Sequence, residues 1–400
     1  MPVLFVLLGT AGLLFPACAK EGLPAVVRED RFTLDIGRME DEIDLFNLEH
    51  TRRKTALAMR NGLFYIANGN GEKVVRYTSY GDILFMIYNE ETNPPPLTLR
   101  TGPGDAKSLA ARWAVSHPLL EPGAIAVDSR NHSYVEDRFL DERYAFDPEN
   151  NALLSSVVLH FNQDGRFAGR LGQEGVGGTP FPHITGLYTS QEDELAVVCR
   201  HTTGWHIYWF DAAGILLYSI PLQNSGIPLL PGRPGVFPLV DAVMAAPDSR
   251  RLFIKADYYR DTFDESANTR SGGEPEGSAI WIMNAENGAY DGSLALPFFE
   301  YPRDEHNQKF TGQFLYSMMG VMRNNQVFLS FPIEGGYSLL IINADSQERR
   351  RAFIRVDREE LHYTTFHISQ EGIISGILAT NWQARIVWWR ADRLAEELSS

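Results

Sequence analysis

Six polar residues stand at intervals along this chain, each close ahead of a short apolar run. Lys54 precedes TALAM, Glu121 precedes AIAV, His183 precedes TGLY, Asp241 precedes AVMAA, Tyr316 precedes SMMGV and Tyr363 precedes TTFHI. Two carboxylates, an imidazole, an ammonium and two phenols drawn to one centre would bind a small anion or a metal ion. Left apart, they are ordinary loop residues. The elements that carry them decide between the two.

Other constellations fall short of a site. His201 and His206 flank a turn, but a third ligand for zinc is missing. Asn162-Gln163-Asp164-Gly165-Arg166 offers the opening ligands of a calcium loop, yet the closing bidentate Glu would fall at Gln173. Gly172–Gly178, GQEGVGG, opens no helix that would cradle a phosphate. No Gly-x-Ser-x-Gly elbow occurs. The sequence therefore assigns no catalytic residue, no cofactor and no metal ligand. Cys199 sits in the apolar run LAVVC and reads as a small buried hydrophobe.

Each apolar run opens a strand, polar turn, strand pattern: 55–68, 124–137, 185–200, 242–257, 317–332 and 364–379. Each is followed by a second such pattern: 74–88, 157–171, 206–220, 279–296, 338–354 and 385–398. NQDGR lies in one of these and so reads as a hairpin turn. Two hairpins make a four-stranded antiparallel sheet, greasy on both faces. Six of them stacked radially bury those faces. The run Gly62-Leu63-Phe64-Tyr65-Ile66-Ala67, followed by Val74 to Ile83, resembles the blade of a six-bladed β-propeller of the NHL type. The likeness covers roughly residues 31–398 and is plainest in the first three units. It implies an all-β, six-bladed propeller of four-stranded antiparallel blades. The sixth unit runs out in ADRLAEEL, which reads as a short helix, so Arg31–Ile36 is expected to supply its fourth strand and close the ring.

Extra length is expected on one face of such a ring, between second and third strands or between blades: 138–152, 258–278, 89–121 and 223–238. A helix is expected near Asp105–Ser116, and 269–278, TRSGGEPEGS, reads as a mobile tract. The innermost strands are small and apolar, with Tyr188 and His367 their only titratable residues, so the axis should be tightly packed.

Residues 3–15 are almost wholly apolar and too short to span a bilayer as a helix. With Phe15-Pro16-Ala17-Cys18 they resemble a bacterial lipoprotein signal, although no Lys or Arg precedes Cys18. The resemblance implies a signal over 1–17, lipidation at Cys18, a tether over 18–30 and the propeller over 31–398. A plain cleaved signal peptide is the alternative. The net charge of −15 disfavours nucleic acid as a partner. Together these point to a monomeric scaffold, secreted across the inner membrane and held on the membrane surface by lipid. Its partners would be proteins or envelope polymers bound by the long-loop face. Propellers also include metal-dependent lactonases and quinone-dependent dehydrogenases, so an enzyme with its site at the channel mouth is the second reading.

Overall fold

A computed structural model describes residues 23–46, 53–101, 112–264, 269–305 and 308–396. Cys18, the signal segment and residues 105–111 of the expected helix lie outside the described residues. Six antiparallel sheets of four or more strands form the blades of a six-bladed β-propeller. The innermost strands, in blade order, are Thr55–Arg60, Ile125–Val127, His183–Thr189, Val236–Ala245, Ser317–Met322 and Tyr363–Ile368. Blade six takes its fourth strand from near the beginning of the chain: Arg28–Ile36 pairs with Gln383–Trp389, three residues longer than expected. The closing helix is Asp392–Glu396.

The radial arrangement follows from which side chains are apolar on both faces of each sheet. Buried residues form six clusters, one between each pair of neighbouring blades. The seam between blades six and one unites Leu34, Ile377 and Ile386 with Leu57, Phe64 and Ile66. Burying a side chain of this size stabilises by about 1.5–3 kcal/mol, so each seam holds its two blades firmly.

The outer hairpin turns explain the recurring Asn, Asp or Thr followed three residues later by Gly. Asn162 Oδ1 accepts from the N–H of Asp164 (3.0 Å) and Arg166 (2.9 Å), and Gly165 adopts φ +71°. Asp211 does the same for Ala213 and Ile215, with Gly214 at φ +81°. Thr78 Oγ1 serves Tyr80 and Asp82, with Gly81 at φ +89°. The oxygen that a calcium loop would need at Asn162 is thus spent on the backbone.

All the long insertions leave from the face on which the innermost strands begin, because antiparallel strands return the chain there after the second and fourth strands. Three details differ from the sequence expectation. Trp113–Ser116 is a strand parallel to Ile83–Tyr88, not the end of a helix, because a free sheet edge was there to pair with. Residues 269–278 are not a loose tract. They continue a hairpin whose strands are Arg251–Asp264 and Thr269–Asn284, with the register pinned by bulges after Tyr258 and Thr262. Ion pairs Arg260–Glu276 (2.6 Å), Arg233–Glu276 (3.2 Å) and Arg270–Asp261 (2.5 Å) brace it. A fifth insertion, unexpected from the sequence, is the ribbon of Phe299–Glu305 and Gln308–Phe314 between blades four and five.

Candidate functional site

Lys54 is the hub of the channel mouth. Standing just before the inner strand of blade one, it donates to Glu136 Oε1 (2.8 Å) and Oε2 (3.0 Å) on blade two. It also donates to the Ile184 carbonyl (2.7 Å) on blade three. One ammonium therefore ties three blades together. Glu136 is only 6% exposed and takes a further bond from the Ala124 N–H (2.8 Å). A carboxylate so enclosed is tolerated because each oxygen finds a donor.

Two cavities flank Lys54. One of about 350 Å³ is lined by Lys54, Glu121, Glu136, Arg138, Tyr144 and His183, among others. His183 is held below its ordinary pKa by burial and then by the Lys54 charge, which favours a neutral imidazole. Arg138 reaches Asp141 (2.9 Å), donates to the Tyr144 hydroxyl and lies 3.8 Å from Glu121. The other cavity, of about 580 Å³, lies toward blades five and six and shares Lys54 with Arg53, Tyr337, Arg358, His362 and Tyr363. Tyr363 donates to the Thr55 carbonyl (2.6 Å) and so stitches blade six to blade one.

The structure therefore brings Lys54, Glu121 and His183 to one cavity, and Lys54 and Tyr363 to the other. It does not bring Asp241 or Tyr316 to either. Asp241 is the bulge residue of its strand, and its carboxylate meets Lys255 at 2.8 Å. Tyr316 is 1% exposed, packed edge-on to Phe299 at 5.7 Å in the seam between blades four and five. Glu136 and Arg138 were missed. Their signal was the run of charges Glu136-Asp137-Arg138 within a strand that is otherwise buried, where a charge must have a partner. Tyr188 and His367 line a small axial cavity of about 70 Å³ with Ala58, Leu187 and Val321. Burial pushes His367 down to about 4. His201 and His206 acquire no third ligand, and among the described residues no group of three His, Cys, Asp or Glu is placed to hold a metal. Cys199 is fully buried, and desolvation pushes its thiol well up.

Beneath the mouth, Asp137 is 3% exposed and accepts from the N–H groups of Glu121 (2.7 Å) and Leu120 (3.1 Å). Burial outweighs these bonds and pushes its carboxyl up to about 7. Between about pH 4 and that value the folded chain holds a proton that the unfolded chain has released, so the contribution of Asp137 to stability falls as pH rises through this window. Asp137→Asn should remove that dependence. Urea unfolding at pH 5 and pH 8 is expected to show the variant gaining relative to wild type at pH 8. An equal difference at the two pH values would mean that Asp137 is ionised throughout.

No family model matches this chain, and no curated protein matches it. Among solved structures it is similar to a gluconolactonase from Xanthomonas campestris, with a TM-score of 0.39 and 11% identity, over 92% of this chain and 97% of that one. It is also similar to a PL25-family ulvan lyase, with a TM-score of 0.36 and 11% identity, over 89% of this chain and 83% of the other. At such scores neither likeness bears on activity. The class rests on the chain's own six sheets: it is a six-bladed β-propeller with one heavily decorated face.

Proposed function

We propose that this chain is an NHL-like envelope propeller that works as a binding or assembly scaffold. It is secreted across the inner membrane and anchored through a lipid on Cys18. Its decorated face holds a protein or an envelope polymer. The observation that carries this reading is the gathering of all five long insertions on the face where the two mouth cavities open, while among the described residues the opposite face has only short turns. A rigid disc with its variable loops on one side is the arrangement of a recognition surface. Anchoring by acyl chains, at about 0.8 kcal/mol per buried CH₂, would hold the disc at a membrane.

The test is capture from envelope extracts by the full membrane-anchored chain. A second bait has Asp261–Gly273 replaced by Asn-Gly, which shortens the hairpin of blade four at a register the ladder can accept. The expected result is a bound species that enters the detergent phase with the wild-type chain and is lost with the variant, whose thermal midpoint stays the same. Identical capture by both baits would sink the assignment of the face.

The second reading, an enzyme, is favoured by one observation: Lys54, Glu136, His183, Arg138 and Tyr144 surround one cavity. A neutral imidazole beside an ammonium and a carboxylate is an acid–base set.

A further inference from the structure

The larger mouth cavity has a lining at odds with the rest of the molecule. The chain carries 51 Asp and Glu against 36 Lys and Arg. Yet the cavity of about 580 Å³ is bordered by Arg53, Lys54 and Arg358, with His362 and the rings of Tyr337 and Tyr363, and among the described residues by no carboxylate. The carboxylates that answer Arg53 and Lys54, Glu72 at 2.9 Å and Glu136 at 2.8 Å, stand outside that lining.

Arg358 is different. It is exposed, and among the described residues its guanidinium has no ion pair; it lies 5.5 Å over the Tyr337 ring. A guanidinium over an aromatic face is attracted to the ring while its edge donors stay unused. Those donors suit an oxyanion, which a guanidinium can take with two parallel bonds. Arg53 and Lys54 are each paired, and Asp357, Glu359 and Glu360 flank Arg358 in sequence, so what the cavity offers an anion is the unused donors of Arg358, not a net positive field.

We infer that this cavity is an anion-binding subsite that takes a ring-bearing ligand through its carboxylate, sulfate or phosphate group, with Arg358 as the principal contact and the tyrosines as ring walls. The inference rests on reading the decorated face as the binding face, but it uses a different part of that face from the blade-four hairpin.

The test is calorimetric titration of the full chain in detergent with glucuronate, glucose 6-sulfate and glucose 6-phosphate, with glucose as the neutral control, all at millimolar concentration. At least one of the three should bind with one-to-one stoichiometry, in a salt-sensitive manner, and glucose should not. Which one binds identifies the oxyanion. Arg358→Gln should weaken binding by about tenfold or more, and Arg358→Lys by less, since it keeps charge but loses the fork. Arg358 is exposed, so neither variant should alter the thermal midpoint. No binding of any of the three, or binding unchanged in Arg358→Gln, would overturn the subsite. The chain with the shortened hairpin serves as a separate control: it should bind the anion normally even if it captures no partner. Loss of the subsite with hairpin-dependent capture intact would leave the scaffold reading standing.

Discussion

Trp389→Ala is expected to destabilise the chain by about 3–5 kcal/mol and to free the strand that closes the ring. Trp389 is fully buried. It pairs with Arg28 of the closing strand on one side and with Ile374 on the other. Its indole fills the seam between blades five and six, against Val26, Ile354, Val356 and Ala395, with the Phe366 ring 5.8 Å away. Removing it therefore undermines both the pairing of the first strand and the seat of the last helix. Among the described residues its Nε1 has no hydrogen-bond partner, and an unsatisfied buried donor costs about 1–3 kcal/mol. Trp389→Phe loses packing but also removes that orphan, so it should cost much less than the alanine variant. Urea unfolding would give the two stabilities. Hydrogen exchange would report whether Arg28–Ile36 loses protection in Trp389→Ala first. A uniform loss of protection over all six blades would mean that the ring unfolds as one unit without opening at its closure.

The closure was legible because sheets have to be completed. The sixth unit ends one strand short, and Arg31–Ile36 alternates as a strand does with no partner nearby in sequence. The hairpins were legible for a second reason: their turns are chemically specified. Asn162 and Asp211 reach the backbone two and four residues on, and a glycine takes the positive φ that the turn requires. Where this chemistry weakens, so does the signal. In blade five Gln347 stands in the left-handed region at φ +63°, where the other turns use glycine.

The insertions were legible in place and number only in part, and hardly at all in form. Thr269–Gly277 is nearly all exposed, so no apolar alternation marks it as a strand. Its order comes from the ladder with Tyr258–Asp264, a long-range fact that composition does not carry. The ribbon of Phe299–Glu305 and Gln308–Phe314 was hidden by its charge and its proline. At the mouth, position along the inner strand pointed to Lys54, Glu121, His183 and Tyr363, each of which lines one or both of the two cavities. It did not show that Tyr316 turns into a seam, or that a bulge hands Asp241 to a buried lysine. Such choices are made by neighbours in the adjacent blade, not by the residue itself.

That lysine carries the second large effect. Lys255 is 1% exposed, and its ammonium meets Asp257 at 2.7 and 2.8 Å and Asp241 at 2.8 Å. Asp257 also accepts from the Ser278 hydroxyl at 2.6 Å, yet burial still holds its carboxyl above the usual range. Lys255→Met keeps the volume and removes the charge, which leaves Asp257 enclosed without its cation. Breaking a buried pair from one side costs about 3–5 kcal/mol, and that loss is expected here. The pH dependence gives the cause away. Without Lys255, the folded-state pKa of Asp257 moves further above its unfolded value. The penalty is then full above that raised pKa and fades as pH falls toward about 4. Urea titrations should therefore find Lys255→Met closer to wild type at pH 5 than at pH 8. The double variant Lys255→Met with Asp257→Asn should recover much of the deficit at pH 8, because the amide keeps the Ser278 bond and has no charge to bury. If the double variant is as unstable as the single one, the loss lies in the packing of the lysine stem, and the ion pair contributes little to holding blade four against the mouth.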